Sequence, residues 1–174
     1  WFIRKAIYNS NPWVHVIRAI NLPNGVGCEP VAGDYDGDGV YDMAMYKRSA
    51  GTWWIYRVSD GGLIAHITQW GGQTQLPVSG DYNGNGIHDL ALYDQSSGKW
   101  YIRNVQNNLP PIVFNQSWGM PGWKPISGDY NGDGMADLAV YNPSTGRWFI
   151  RSLGTRPVTP GFGLMWGTSA MQIV

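Results

Sequence analysis

Short apolar runs, separated by glycine, aspartate, asparagine and serine, follow one another along the whole chain. Residues 90–93 and 100–103 are apolar or alternating runs of this kind, 112–114 is a third, and 77–79 leads into a glycine-rich loop. Such lengths and boundaries are typical of β-strands. No apolar stripe of useful length recurs at helical spacing, which excludes dinucleotide-binding folds and helical repeats. The pattern therefore predicts an all-β fold made of short strands.

A repeat organises these runs. The string Gly-Asp-Tyr-Asp/Asn-Gly-Asp/Asn-Gly begins at residues 33, 80 and 128, which gives spacings of 47 and 48 residues. Each copy is followed by an apolar run ending in Tyr, by Gly-x-Trp and by a Trp-Gly pair, the last at residues 70–71, 118–119 and 166–167. The Gly-x-Trp tryptophans are Trp53, Trp100 and Trp148, and residues 1–4 resemble a fourth copy of that element.

The repeat has the dimensions of a β-propeller blade. Four short strands in about 47 residues form one blade, a sheet whose two faces are covered by neighbouring blades. Coverage on both sides explains why the strand after each glycine-rich loop is apolar on both faces. We therefore predict a single propeller segment over residues 1–174, with a partial blade at 1–32 and repeats at 33–79, 80–127 and 128–174. The in-register tryptophans are expected to pack between blades.

The number of blades does not close a ring. The chain amounts to about 3.7 blades, and an exposed blade edge invites aggregation. We expect part of a longer chain, or an oligomeric ring or array, in preference to a closed four-bladed monomer.

The glycine-rich loops carry the strongest chemical signal. In the first loop, Asp side chains occupy positions 1, 3, 5 and 9, and Gly39 at position 6 permits the tight curl that brings them together. Oxygen ligands at this spacing suit calcium better than magnesium, and the backbone carbonyl at position 7 would add a ligand. The predicted ligands of three calcium ions are Asp34, Asp36, Asp38, Val40 and Asp42; Asp81, Asn83, Asn85, Ile87 and Asp89; and Asp129, Asn131, Asp133, Met135 and Asp137.

The three loops differ in charge. Loop one offers four carboxylates, loop three offers three and loop two offers two. We expect loop two to bind calcium most weakly, and loop one to show the largest disorder without calcium because like charges crowd there. The alternative is that all three are ordinary Asx/Gly turns. A structural role for the ions is favoured over a catalytic one, because each loop is fully furnished with protein ligands.

The loop string, followed by Asp-Leu/Met-Ala, Tyr, Gly-x-Trp and Trp-Gly, resembles the FG-GAP/VCBS repeat family of calcium-binding β-propellers over nearly all of the chain. That family includes heads of the integrin-α type, fungal lectins and modules appended to secreted bacterial hydrolases. The resemblance implies a calcium-binding propeller and identifies the loop positions above as its calcium ligands. Trp-Gly stands here where the family has Phe-Gly, and Gly-Ala-Pro is absent, so nothing of an integrin ligand site is carried over.

Charge limits the partners. Twelve Lys and Arg balance twelve Asp and Glu, which excludes the basic excess of a generic nucleic-acid binder. Nine of the acidic residues lie in the loops, so three bound calcium ions would leave a moderately basic propeller. Such a surface favours an acidic partner such as an anionic polysaccharide, although scattered solubilising charges explain it equally well. No apolar run is long enough to span a membrane.

Tryptophans outside the repeated pattern are the candidates for ligand contact. An aromatic ring stacks on a pyranose face, and Trp54 and Trp123 are the two we select for such a site. An enzyme is not expected, because His15, His66 and His88 occupy unrelated repeat positions and the carboxylates are committed to the loops. We interpret His88 as an exposed loop residue.

These features together predict a secreted, calcium-stabilised and non-catalytic binding or adhesion module that recognises a glycan or a protein. A self-assembling structural protein and an accessory domain of a secreted hydrolase are the alternatives.

Overall fold

A computed structural model describes residues 2–6, 15–19, 27–106, 109–158 and 162–165, with side chains over 27–106 and 109–158. These parts contain one short 3₁₀ turn, Arg48–Ala50, and are otherwise strands and connections. The strands are β1 Phe2–Ala6, β2 His15–Ala19, β3 Glu29–Pro30, β4 Met43–Lys47, β5 Thr52–Tyr56, β6 Leu63–Ile67, β7 Gln75–Gly80, β8 Asp89–Asp94, β9 Lys99–Arg103, β10 Val113–Ser117, β11 Lys124–Ile126, β12 Leu138–Asn142, β13 Arg147–Arg151 and β14 Phe162–Met165. No helix in this described part is long and apolar enough to cross a membrane.

The strands form three sheets of four strands and one of two. Within each larger sheet the strands follow one another in chain order, β3 to β6, β7 to β10 and β11 to β14, and every neighbour pair is antiparallel. β1 and β2 pair in the same way, as the last two strands of a blade would. The prediction of an all-β protein built of four-stranded, propeller-like blades is confirmed.

The sheets and the sequence repeats are out of phase. The run at 77–79 lies in β7, which pairs with β8 and opens the second sheet. The glycine-rich loop therefore connects the first and second strands of a sheet, and a division of the chain at the loops cuts each sheet after its first strand. Trp70-Gly71 and Trp118-Gly119 lie in the connections from one sheet to the next.

The second strand of the middle sheet is buried on both faces. Leu90 and Leu92 belong to the apolar cluster that joins the first and second sheets. Ala91 and Tyr93, which alternate with them, belong to the cluster that joins the second and third. Because successive side chains point to opposite faces of a strand, β8 must be apolar throughout. The prediction that the strand after the glycine-rich loop is apolar because both of its faces are covered is thus confirmed for β8.

Two of the three repeat tryptophans lie at these junctions. Trp53 and Trp100 are fully buried, and their indole N–H groups donate to the carbonyl oxygens of Trp70 and Trp118 at 3.0 and 2.8 Å. The Trp70 indole in turn donates to the Leu90 carbonyl of the following sheet at 3.0 Å. Each pair of tryptophans thus connects one sheet to the next through hydrogen bonds as well as apolar contact.

Glycine is required beside the Trp70 turn. Gly71 has φ +114°, and a Cβ there would collide with the hydroxyl of Tyr46. That hydroxyl accepts a hydrogen bond from the Gly72 N–H at 2.9 Å, so the turn lies directly against the end of the Tyr46 ring. The Trp-Gly pair is therefore a packing motif between sheets.

Candidate metal centre

Each glycine-rich loop is folded around its first aspartate. The two carboxylate oxygens of Asp34 accept hydrogen bonds from Gly37 N–H at 2.7 Å and Gly39 N–H at 2.8 Å. Asp81 and Asp129 repeat both bonds at distances between 2.7 and 2.9 Å. Both donating glycines of loop one have positive φ, which curls the backbone around the carboxylate. The loop is thus preformed by its own amides.

The carboxylate at position 9 lies beneath each loop. Asp42, Asp89 and Asp137 are 2 %, 1 % and 0 % exposed, and each accepts a hydrogen bond from the N–H of the tyrosine at position 2, at 2.8 to 2.9 Å. Burial raises the pKa of Asp42 and Asp137 above the ordinary value and that of Asp89 to about 7. A buried carboxylate held mainly by neutral donors is costly, and a bound cation would offset that cost.

Loop one brings three of its four carboxylates together. Oxygen atoms of Asp34, Asp36 and Asp42 lie within 4.8 Å of one another. Asp38 is exposed, and its oxygen accepts a hydrogen bond from Val40 N–H at 2.8 Å. Asn85 and Asp133 hold position 7 of the other loops in the same way, at 2.9 and 3.0 Å. The position-5 side chain therefore stabilises the turn that carries the expected carbonyl ligands of Val40, Ile87 and Met135.

Loops two and three place a polar N–H₂ group where a cation would fit. The Asn83 amide nitrogen lies 3.2 and 3.3 Å from the two oxygens of Asp89. In loop three, the Asn131 amide nitrogen lies 3.2 Å from an Asp133 oxygen. Rotation of either amide by half a turn would present an oxygen ligand to the same point.

One oxygen in loop three makes no hydrogen bond of good geometry to the described residues. It is the Oδ1 atom of the fully buried Asp137, near the Ser152 side chain, whereas the Oδ2 atom accepts from Tyr130 N–H. A buried anionic oxygen beneath a loop of carboxylates and amides is a position that a hard cation would stabilise. The donor set of oxygens only, in three loops of similar geometry, therefore fits calcium.

Successive loops are joined to one another. The N–H at position 8 of each later loop donates to the carbonyl oxygen at position 1 of the loop before it, from His88 to Asp34 and from Ala136 to Asp81, both at 2.6 Å. The Ile87 side chain also lies against Gly37 of loop one. Sequence reasoning missed this connection, because no residue type marks a backbone hydrogen bond.

Sequence reasoning also missed a side-chain contact to position 3 of each loop, although the residues that make it recur at a fixed place in the repeat. The residue four positions after each repeat tryptophan reaches position 3 of its own loop. These contacts are Arg57 Nε to Asp36 Oδ2 at 2.6 Å, Asn104 Oδ1 to Asn83 Nδ2 at 3.0 Å, and Ser152 Oγ to Asn131 Nδ2 at 3.0 Å.

The two tryptophans selected for ligand contact lie apart from the loops. Trp54 is half-buried in β5 and stacks on the exposed His66 ring, with centroids 5.5 Å apart and planes 13° apart. Trp123 stacks on Phe149 at 4.6 Å and packs against the second apolar cluster. A cavity of about 500 Å³ lies between the first two sheets, and its polar lining includes Asp36 and Asn104. Neither tryptophan lines this cavity. The two rings are not brought together into one site.

His88 is more enclosed than the sequence indicated. Its ring is half-buried against Tyr35 and Tyr41, and its Nδ1 lies 2.7 Å from the Ser79 hydroxyl oxygen. The interpretation of His88 as an exposed loop residue is therefore wrong, because the adjoining blade covers it. Burial lowers the pKa of His88, so the neutral ring is favoured near neutral pH.

Comparison with known families supports the repeat assignment. The family model described as FG-GAP-like repeat matches residues 81–140, from the first aspartate of loop two into β12 beyond loop three. No curated protein matches the chain. The matched span contains the two loops, the Gly-x-Trp element and the Trp-Gly turn on which the resemblance rests. Residues 81–140 therefore match an FG-GAP-like repeat, and the described strands form four-stranded, propeller-like blades.

Proposed function

We propose that the three loops each bind a calcium ion and that the protein is a calcium-stabilised, non-catalytic module for binding or adhesion outside the cell. The observation that carries the calcium proposal is the burial of a carboxylate beneath every loop, at Asp42, Asp89 and Asp137. Fully buried carboxylates are rare unless they are paired or coordinate a metal.

The position of the loops between strands favours a stabilising role for the ion. Within loop one, Asp34, Asp36 and Asp42 would hold the cation between the first strand of a sheet and its second strand. Because loops one and two each accept a backbone hydrogen bond from the following loop, order in one loop supports its neighbour. Calcium at a hundredfold excess over its dissociation constant would add about 2.7 kcal/mol for each site.

Binding of a glycan or a protein is supported by side chains on the outermost strand of the second sheet. Phe114 is 68 % exposed on β10, with the exposed Asn115 and the half-exposed Gln116 beside it. The Tyr101 hydroxyl lies 3.3 Å from the Asn115 side-chain oxygen, and the Tyr101 and Phe114 rings meet edge to face at 5.4 Å. An exposed aromatic ring beside amide groups suits the apolar face and the hydroxyls of a sugar.

A glycan array with calcium or with EDTA tests both parts. We expect binding in calcium that is lost in EDTA and reduced by Phe114→Ala, while Leu63→Ala on β6 serves as a matched exposed apolar control. Anionic glycans are expected to bind best, since three bound ions would leave the protein moderately basic. Ring or filament formation in calcium, without binding to any glycan or protein, would favour a structural protein and contradict the binding role.

A further inference from the structure

Within residues 27–106 and 109–158, loop one differs from the other two loops by a basic side chain, Arg57, bonded to one of its carboxylates. Its Nε atom lies 2.6 Å from Asp36 Oδ2, and Asp36 belongs to the group of three converging carboxylates. The equivalent side chains Asn104 and Ser152 contact position 3 of their loops as neutral groups. The same place in the fold is therefore occupied by a positive charge in loop one only.

A second carboxylate lies within reach of the same guanidinium. The Nη1 atom of Arg57 is 3.3 Å from Asp60 Oδ2, and the other Asp60 oxygen accepts a hydrogen bond from Gly62 N–H at 2.7 Å. The Asp60 carboxylate is thus held in place by the backbone. Arg57 has a partner to keep when its bond to Asp36 is broken.

Loop three offers a natural comparison. Arg156 also approaches its loop, but its Nη1 atom donates to the backbone carbonyl oxygen of Gly132 at 3.0 Å and not to a ligand carboxylate. Arg156 therefore contacts only the backbone of its loop, whereas Arg57 contacts a predicted ligand carboxylate of loop one.

We propose that Arg57 is a built-in counter-cation of loop one, which pairs with Asp36 when calcium is absent and must be displaced onto Asp60 when calcium binds. This inference rests on the proposed function of the loops. It has two consequences of opposite sign. Arg57 keeps loop one ordered without calcium, which counters the expectation that its four carboxylates make it the most disordered loop. It also weakens calcium binding there, because the ion must compete for Asp36.

Amide hydrogen exchange read by mass spectrometry tests this loop by loop. The protection of residues 34–42, 81–89 and 129–137 is followed as calcium is titrated into the whole chain. Arg57→Ser introduces the residue that repeat three has at the equivalent position, Ser152. For this variant we expect faster exchange of loop one in EDTA. We also expect a calcium midpoint lowered about fivefold, which is the upper end of what a partly exposed ion pair supplies. Arg57→Gln repeats the test with a side chain closer in length, should the serine variant fold poorly.

Two controls separate charge from packing. Arg57→Lys keeps the charge and is expected to leave the loop-one midpoint near that of the parent protein. Arg156→Ser removes the same charge beside loop three and is expected to leave loop one unchanged.

The outcomes are distinguishable. If Arg57 only packs against the loop, both the serine and the glutamine variants will weaken calcium binding or leave the midpoint unchanged, and either result overturns the proposal. If loops two and three gain protection with calcium but the loop-one midpoint does not fall in these variants, the role of Arg57 fails while the proposed function stands. If no loop of the parent protein responds to calcium, both fail.

Discussion

Replacement of Asp89 by asparagine is expected to change the stability of the protein in opposite directions with and without calcium. Asp89 is 1 % exposed, and among the described residues its oxygens receive hydrogen bonds only from the neutral donors of Tyr82 and Asn83. Burial raises its pKa from 3.8 to about 7, with the Asp81 charge adding to the effect. Without a cation, the ionised side chain therefore opposes folding.

The magnitude follows from that difference in pKa. At about 1.4 kcal/mol for each tenfold change in an acid dissociation constant, the upper limit is about 4 kcal/mol for a fully ionised Asp89. Asparagine still accepts the hydrogen bond of Tyr82 N–H, but it remains a buried polar group, so we expect about half of the limit to be recovered. Asp89→Asn should therefore raise the free energy of unfolding by about 2 kcal/mol in EDTA.

Calcium reverses the sign. The variant lacks the buried carboxylate ligand of loop two, so it loses the stabilisation that calcium gives to this site, about 2.7 kcal/mol at a hundredfold excess over the dissociation constant. Urea unfolding slightly above neutral pH, in EDTA and in saturating calcium, measures both free energies. Asp94→Asn, at the other end of β8 in a turn where Ser96 donates to it at 2.6 and 2.9 Å, is the matched control and should cost the same in both media. An equal loss of stability in EDTA and calcium for Asp89→Asn would refute the reasoning.

Three further predictions concern pH and packing. In EDTA, the folded state holds the Asp89 proton more tightly than the unfolded state between pH 3.8 and about 7, because the folded-state pKa is raised. The free energy of unfolding should therefore fall as pH rises across that interval, and urea midpoints that rise with pH would contradict this. In Gly71→Ala, the added Cβ would collide with the Tyr46 hydroxyl. Thermal unfolding should show a loss of stability about 2 kcal/mol larger than for Gly122→Ala, because Gly122 also has positive φ, +79°, but open space around it. Equal losses would contradict the packing role of the turn. Trp100→Phe removes the donor that lies 2.8 Å from the Trp118 carbonyl oxygen and opens a space in the core, so the free energy of unfolding should fall by about 2 kcal/mol. Tyr101→Phe, at the neighbouring half-exposed residue, should change it little. Calorimetry that ranks the two variants the other way would contradict this.

The sequence was sufficient for the blades because their signals are local and repeated. The apolar runs, the Gly-x-Trp element and the tight turns each specify a strand or a connection through side chains close in the chain. The phase of the sheets was not predictable in the same way. Residues 77–79 look like the end of one repeat, yet they pair with β8, and only the register of long-range hydrogen bonds decides to which sheet a short strand belongs.

The candidate metal site was predictable in its residues but not in its electrostatics. The spacing of the loop aspartates indicated which side chains converge, and those of Asp34, Asp36 and Asp42 do so. The charge count predicted that loop one is the most disordered without calcium, but it omitted Arg57, which is 21 residues from Asp36 in the chain and next to it in space. The enclosure of His88 also depends on the adjoining blade, which the repeat itself does not specify.

Native mass spectrometry of the whole chain in calcium tests the central claim most directly, because it counts bound ions. We expect three calcium ions per chain, all removed by EDTA, and two ions for the Asp89→Asn variant at a calcium concentration that saturates loops one and three. A parent chain that binds no calcium, or an Asp89→Asn chain that still binds three ions at that concentration, would contradict calcium binding by the three loops.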